Sequence, residues 1–356
     1  MRIALLLGLL ALLPVASPAL AKEAACDRQC MQEMVNQTLV SMTKHDPSGL
    51  PIAKTYQLTV NNIPSGLSMA TPWRTVTGLK KPVADQYVID TPRQEVFFIA
   101  TVQEGETPSL LWGRLKVEDL KISELELYLS RSKADSGAQF DADGPSNLPS
   151  VWTAPVPAAQ RPSREELTRV AQIDFDPSLG DLDYSLNCHL IENGKTLPND
   201  VPVDEWLKYN STTVSKQKVE ELKKAAAANG GIAPLGCPRI DVPTDKQARI
   251  LVDEEQSVAV SLALVSGKVF TNFLPPPGPD KEMPTVFVPD SMKADQAQRA
   301  EDIQKLPAAV KDPVNLPMPT VLACGELTKF FDKKIQGTHR LMQAQPVGSG
   351  SPWVTK

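Results

Sequence analysis

The sequence contains only three histidines, and one of them stands beside a carboxylate. His45 precedes Asp46 at the end of a segment whose apolar residues recur every three or four positions, as on an amphipathic helix. An imidazole next to a carboxylate is suited to general acid/base catalysis. The same pair is typical of a helix end, where the helix dipole favours histidine and aspartate starts a turn. The pattern therefore gives a catalytic hypothesis, His45 with Asp46, and a structural alternative.

Three more acids are candidates for the same chemistry. Asp90 ends a short apolar strand and is the third catalytic candidate, as a base in a pocket. Asp253 ends a similar strand, and Glu192 lies near a second histidine, His189. An acid at a strand end also caps turns or pairs with an arginine, so a structural role for Asp90 and Asp253 stays open. The third histidine, His339, lies between polar neighbours and is expected to be exposed.

A substrate would need walls and a charged anchor. Trp73, Tyr87 and Trp112 are candidates for an apolar pocket wall, although aromatic residues also fill cores. Arg114 lies between apolar neighbours, where it could bind an anionic group of a substrate or pair with an acid such as Glu126. These four residues form the predicted substrate-binding set.

Other classes of chemistry have no support in the sequence. No pair of histidines has the spacing of a zinc site, so no metal is expected. Glycine-rich phosphate loops and a serine-hydrolase motif are absent, so no nucleotide or other cofactor is expected. The net charge of −5 argues against a nucleic-acid partner.

The N-terminus has the three parts of a secretory signal peptide. They are a cationic start at Arg2, an apolar run over residues 4–13 and the cleavage motif Ala19-Leu20-Ala21. No apolar run reaches the ~20 residues of a membrane-spanning helix, so no stable membrane anchor is expected. We expect cleavage near Ala21 and export to the periplasm or the medium.

Five cysteines follow the predicted cleavage site and would enter an oxidising compartment. Cys188 and Cys237 bracket a long polar stretch and are the predicted disulfide, since a bridge there would close a long loop. Cys26 and Cys30 are four residues apart at a helix start, which permits either a local bridge or two separate fates.

The chain repeats its own pattern. Residues 28–45 and 163–175 both predict an amphipathic helix, and each is followed by Asp-Pro-Ser. Residues 87–102 and 250–265 both predict a strand, a short acidic turn and a long β-rich strand. The two anchors occur in the same order, which favours a tandem repeat over chance matches. The second copy carries additional residues at about 195–245 and 275–322.

Short pieces in a fixed order carry a resemblance to a known superfamily. They are Cys26-Asp27-Arg28, His45-Asp46-Pro47-Ser48, Gly66-Leu67, Trp73, Gly113-Arg114-Leu115-Lys116-Val117, Arg161-Pro162-Ser163-Arg164, Glu192-Asn193-Gly194 and Val252-Asp253-Glu254-Glu255. With these pieces the chain resembles the SnoaL-like, nuclear-transport-factor-2-like superfamily, and more closely an exported bacterial and fungal family without a settled function. The resemblance implies an α+β fold in which a helix packs on a strongly curved antiparallel sheet, forming a cone-shaped barrel.

The predicted organisation has four parts. A signal peptide (1–21) precedes a first cone domain (22–144), a Pro-rich linker (145–162) and a second cone domain with insertions (163–356). Cones of this superfamily commonly pair through their sheets, so the two copies are expected to form an internal pseudo-dimer.

Two functions remain open at this point. One is an exported lyase or isomerase that acts on a small organic molecule by acid/base catalysis, without a cofactor. The other is a non-enzymatic module that binds a small ligand or a protein. Superfamily membership does not decide between them, because one fold supports many activities.

Overall fold

The structure is a computed structural model that describes most of the chain. The described residues are 25–136, 139–173, 182–197, 202–204, 216–228, 231, 248–271, 285–305 and 317–353. The predicted signal peptide lies outside them. No helix within these ranges is long and apolar enough to span a membrane.

The two helices that the spacing of apolar residues predicts, at 28–45 and 163–175, are both present. Asp27 caps the first helix by accepting the N–H of Cys30 at 2.8 Å, and Met31 and Leu39 lie on its buried face. The two sulfur atoms of Cys26 and Cys30 are at disulfide distance. The helices of the described residues are α1 (Arg28–Thr43), α2 (Thr71–Thr75), α3 (Lys133–Ser136), α4 (Ser150–Thr153), α5 (Arg164–Ile173), α6 (Lys216–Ala228) and α7 (Lys293–Lys305).

The first half of the chain forms a mixed sheet of seven strands. The strands are β1 (Ile52–Val60), β2 (Ile63–Pro64), β3 (Gly78–Leu79), β4 (Gln86–Asp90), β5 (Glu95–Glu104), β6 (Thr107–Glu118) and β7 (Lys121–Ser130). Their order is β2-β1-β7-β6-β5-β3, and β4 also pairs with β5. The pairs are antiparallel except for β1 and β7, which run parallel.

The second half forms a second mixed sheet of seven strands. They are β8 (Tyr184–Glu192), β9 (Lys195–Thr196), β10 (Arg249–Asp253), β11 (Val258–Thr271), β12 (Thr285–Pro289), β13 (Met318–Phe331) and β14 (Lys334–Gln345). Their order is β10-β11-β13-β14-β8-β9, and β12 also pairs with β11. Within the predicted insertions, α6 lies in 195–245, while β12 and α7 lie in 275–322.

Corresponding details show that the two sheets are built alike. Asn61 donates its backbone N–H to Leu127, and Asn193 donates its own to Arg340. The β4–β5 and β10–β11 turns both contain a residue with φ of 55°, and the β6–β7 and β13–β14 turns both contain two consecutive residues with positive φ. These matches pair each residue of β4–β7 with a residue of β10, β11, β13 or β14. We call such residues equivalent.

Each sheet is covered on both faces. α1 packs on one face of the first sheet, where it contacts a core that includes Phe98 and Leu111 of the sheet. α5 packs on one face of the second sheet in the same way. The other two faces pack against each other, where Gly325 leaves room for the ring of Trp112. The order of layers is helix, sheet, sheet, helix.

The expectation of cone-shaped barrels is wrong in one respect. The protein is α+β with two sheets of seven strands, but neither sheet is strongly curled. Each sheet packs a helix on one side and the other sheet on the opposite side, so apolar side chains fill both faces. A cone would need one face to close around an interior.

Candidate functional site

His45 and Asp46 lie on the exposed turn after α1. His45 has a φ of 54°, and its Nδ1 lies 2.9 Å from the carbonyl oxygen of Trp73. Asp46 accepts the N–H of Ser48 at 2.9 Å, as in an Asx turn. Hydrogen bonds from the side chain and backbone of Ser48 lower the pKa of the Asp46 carboxyl. The structure therefore places this pair at the surface, in the geometry of a helix end.

Asp90 is buried at the junction of the two halves. Its carboxylate pairs with Arg164 at 2.7 Å, at the start of α5 in the second half. It also accepts the N–H of Val252 from β10 at 3.0 Å. All of these partners belong to the other half of the chain, so Asp90 holds the second half against the first.

Asp253, the residue equivalent to Asp90, repeats these contacts in the opposite direction. It pairs with Arg28 of α1 at 2.7 Å and accepts the N–H of Ile89 at 2.9 Å. The two acids thus form a reciprocal pair of latches, each reaching the first helix of the other half. Neither bonds to His45 or Asp46 within the described residues.

Arg114 lies in a buried network of charges between the sheets. It pairs with Glu126 at 3.3 Å, with Glu95 at 3.4 Å and with Glu124 at 2.5 Å. Glu126 also pairs with Arg249 of β10, in the other half. Burial opposes the charge on Arg114, but the carboxylates of Glu126 and its neighbours outweigh that effect and raise the pKa of the guanidinium.

Two aromatic residues complete this network. Tyr128 donates its hydroxyl to Glu126 at 2.8 Å. The guanidinium carbon of Arg114 lies 5.0 Å from the ring centroid of Trp353, in the C-terminal tail. We call Glu126, Arg114, Arg249, Tyr128 and Trp353 the Glu126 cluster. Arg114 is paired with three carboxylates, those of Glu126, Glu95 and Glu124, so it is not available to a substrate.

The equivalent place in the second half has different chemistry. His339 is equivalent to Glu126, and Gln86 is equivalent to Arg249. The Nδ1 of His339 lies 3.2 Å from the Oε1 of Gln86, and the ring of Trp152 meets the imidazole edge-on at 6.2 Å. We call His339, Gln86 and Trp152 the His339 cluster. It is neutral, because burial lowers the pKa of His339 to about 3.

The expectation that His339 is exposed is wrong. β14 lies inside the second sheet and is covered on both faces, so its polar residues are buried together with its apolar ones. Among the described residues, no partner reaches the Nε2 of His339 or the Nε1 of Trp152. Buried polar groups without partners are uncommon in folded proteins. Gly337 makes this packing possible, because a Cβ there would lie 3.0 Å from the ring of Trp152.

A cavity of about 370 Å³ opens beside the His339 cluster. Its wall includes Trp152 from the segment between the halves, Tyr87 and Gln86 from β4, and Lys329 from β13. Tyr87 is half-buried, which raises the pKa of its hydroxyl. The cavity therefore combines both halves of the chain with the segment that joins them.

Among the residues that the structure describes, the acids of the cavity wall are paired with cations, whereas its cations are not paired with acids. Asp85 accepts from Ser146 at 2.8 Å and pairs with Lys81 at 3.1 Å, and Glu255 pairs with Arg28 at 3.6 Å. The two cations of the wall bond to backbone oxygens instead. Arg161 donates to Val156 at 2.9 Å, and Lys329 donates to Gln256 at 2.6 Å. In the described part of the chain, neither cation has a carboxylate within salt-bridge distance.

The remaining predicted residues lie in other surroundings. Trp73 is buried beneath α1 and donates to Ser41 at 2.8 Å, while Trp112 stacks on Tyr128 at 4.2 Å between the sheets. Of the predicted substrate-binding set, the structure brings only Tyr87 to the cavity. Glu192 pairs with Arg340 at 3.1 Å.

Only one cysteine of the predicted disulfide lies within the described residues. Cys188 is buried and disulfide-bonded, but Cys237 lies outside the described residues, so their pairing stays a prediction. Cys324 is not in a disulfide, and burial raises the pKa of its thiol to about 12. Within the described ranges, no three histidine, cysteine or acidic residues are grouped to hold a metal ion.

Sequence reasoning missed the residues that form the cavity. Trp152 lies in a stretch that its prolines mark as a linker, and Lys329 lies in a strand whose apolar residues indicate only a core. One signal was present: Trp152 follows Ser150-Val151 within the Pro-rich linker, and Trp353 follows Ser351-Pro352 in the C-terminal tail. Trp353 covers the charged Glu126 cluster, and Trp152 covers the neutral His339 cluster.

Comparison with known proteins adds no family. No family model, no curated protein and no solved structure matches the chain. The structure shows two α+β domains, each with a mixed sheet and a helix.

Proposed function

We propose that this protein is an exported, non-enzymatic binding protein for a small anionic organic molecule. The observation that carries the proposal is the cavity beside Trp152, with a volume of about 370 Å³. Small-molecule sites in proteins have volumes of about 300–1,000 Å³ and combine apolar walls with a few placed polar groups. This cavity has that size and that composition.

The charge of the wall favours an anion. Asp85 and Glu255 are neutralised by cations, whereas Arg161 and Lys329 have only backbone carbonyls as partners. A bound carboxylate or sulfonate could pair with these two cations, and guanidinium groups bind such oxygens with two hydrogen bonds. Trp152 and Tyr87 favour an aromatic or otherwise flat body for the ligand.

The lyase or isomerase hypothesis has less support. Catalytic acids and bases usually acquire a suitable pKa through burial in an apolar pocket. His45 and Asp46 lie on an exposed turn, and Asp90 is held by Arg164. The interiors that a cone would use are filled by apolar side chains of α1 and its sheet.

Ancestry and export are further proposals. The shared order of one helix and a mixed sheet supports descent of both halves from a SnoaL-like unit. On this view one chain forms a pseudo-dimer, and the reciprocal latches of Asp90 and Asp253 hold it together. The sequence pattern of residues 1–21 supports export.

Titration with 1-anilinonaphthalene-8-sulfonate, a fluorescent aromatic anion, tests the binding proposal. We expect one molecule bound per chain, and a dissociation constant raised at least about tenfold by Trp152→Ala, which corresponds to a loss of about 1.4 kcal/mol. Arg161→Ala should weaken binding by a smaller factor. Trp353→Ala is the matched control, because it removes the corresponding ring at the Glu126 cluster, and it should leave the affinity unchanged.

Thermal unfolding of each variant shows that it is folded at the temperature of the titration. Equal affinity of the parent chain and the folded Trp152→Ala variant would contradict the proposal. Loss of binding in Trp353→Ala but not in Trp152→Ala would contradict it as well.

A further inference from the structure

Lys329 is an unusual lysine in its burial and its partner. The residue has 1% relative exposure and yet forms part of the cavity wall. Its Nζ donates to the backbone oxygen of Gln256 at 2.6 Å, and within the described residues no salt bridge holds it. An ammonium group so placed has lost its water without gaining a carboxylate partner.

The equivalent lysine of the first half shows what Lys329 lacks. Lys116 occupies the same position on β6, where it pairs with Glu118 at 2.8 Å and with Glu124 at 3.4 Å. The hydrogen bond that Lys116 donates to Glu118 is the main reason that the pKa of Lys116 lies above its usual value. The position equivalent to Glu124 is Gly337, which has no side chain to offer.

The charged groups that face Lys329 come from several elements. Asp253 lies at the end of β10 and favours the charged amine, but burial outweighs it and lowers the pKa of Lys329 to about 8. Glu255, Asp85 and Arg161 lie around the same cavity. Because the two acids among them are paired with other cations, they do little to keep the amine protonated.

We propose that Lys329 is a covalent site, at which the cavity captures an anionic aldehyde or ketone as an imine. This inference rests on the proposed function, because it assigns a chemical class to the ligand of the same cavity. An amine that is partly neutral near neutral pH, and that lies in the wall of a cavity, is the group that forms such adducts in proteins. Arg161 binds the anionic group of the ligand, and Trp152 packs on its body.

The reaction needs no other reactant. The lone pair of the neutral Nζ attacks the carbonyl carbon, a C–N bond forms and the carbonyl π electrons move to oxygen. A proton passes from nitrogen to that oxygen, giving a carbinolamine. Loss of one water molecule then leaves the imine, which is protonated where its pKa allows. The hydrogen bond to Gln256 is exchanged for the new bond to carbon.

Reductive trapping on the full chain tests this proposal. The protein is incubated at pH 7 with 4-carboxybenzaldehyde and sodium cyanoborohydride, which delivers hydride to the iminium and fixes the adduct. Peptide mass spectrometry then gives the labelling rate of each lysine. We expect Lys329 to be labelled at least about tenfold faster than Lys116, since a lower pKa gives a larger neutral fraction. Its labelling should be suppressed by 1-anilinonaphthalene-8-sulfonate.

The matched variants are Lys329→Met and Lys116→Met. The first should remove the fast adduct and the second should leave it unchanged, with folding of both confirmed by thermal unfolding. Lys329 labelled no faster than Lys116, in a chain that still binds the sulfonate, would overturn the covalent site and leave the binding proposal intact. Absence of both the adduct and sulfonate binding would overturn both. Fast labelling that the sulfonate does not suppress would place the reaction outside the cavity and also overturn the inference.

Discussion

The Glu126 cluster and the His339 cluster occupy equivalent places between the two sheets, and they differ in charge. In the first, Glu126 joins Arg114 and Arg249, and the tail residue Trp353 covers them. In the second, His339 joins Gln86 under Trp152, and a cavity opens beside it. Two sheets that are built alike thus carry a closed, charged cluster and a neutral cluster beside an open cavity. The difference shows that the same strand order can carry different chemistry, which the side chains at equivalent positions determine.

The largest expected effect tests the closed site. Glu126→Gln leaves Arg114 and Arg249 facing each other between the sheets with less compensation. Removing one partner of a buried ion pair costs about 3–5 kcal/mol, and because Arg114 keeps its pairs with Glu95 and Glu124 we expect a loss near the lower end of that range. Urea unfolding should show this loss. The equivalent change His339→Gln keeps an amide next to Gln86 and should cost only about 1 kcal/mol at pH 7.

Equal costs for Glu126→Gln and His339→Gln would contradict the contrast between a charged and a neutral cluster. The two unfolding curves should be compared at the same pH and salt, since ion pairs depend on both.

A second prediction tests whether the two halves are held together by equivalent contacts on both sides. Asp90→Asn and Asp253→Asn each weaken one latch between the halves, at the pairs with Arg164 and Arg28. Hydrogen bonds to charged groups contribute about 1.5–3 kcal/mol, so each variant should lose about 2 kcal/mol in urea unfolding. Asp46→Asn is the control, since its carboxylate is exposed. A large cost for only one of the two latches would break the symmetry.

A third prediction concerns pH and applies to the His339 cluster alone. The pKa of His339 is about 3 in the folded chain, against about 6.5 when it is exposed. Between these values the unfolded chain binds the additional proton, so the free energy of unfolding falls as the pH falls below 6.5. The part due to His339 is about 2 kcal/mol at pH 5. We expect His339→Gln to lose less stability than the parent chain between pH 7 and pH 5, and parallel losses would contradict the buried neutral state.

The local part of this structure could be predicted from the sequence. The helices at 28–45 and 163–175 and the strands around Asp90 and Asp253 follow from periodicity, which depends on near neighbours. Sheet curvature could not be predicted in this way, because it depends on what packs on the second face. The contact between the two sheets determines their curvature, and no single segment of the sequence predicts that contact.

Most of the candidate site could not be predicted from the sequence either, because it also depends on packing between distant segments. Tyr87 is the one predicted residue that reaches the cavity. Trp152 and Lys329 are 177 positions apart and meet only when the linker folds onto β13 and β14. The polar neighbours of His339 in the sequence indicate an exposed strand. His339 is buried because the second sheet is covered on both faces. Residues whose role depends on such long-range packing give no local pattern.

The most direct test of the account is a crystal structure of the chain with bound 1-anilinonaphthalene-8-sulfonate. The account predicts electron density for the probe in the cavity, with its rings against Trp152 and its sulfonate within hydrogen-bond distance of Arg161 or Lys329. The Glu126 cluster should remain closed beneath Trp353. Probe density at the Glu126 cluster, with an empty cavity beside Trp152, would contradict the central claim that the ligand binds in the cavity beside the His339 cluster.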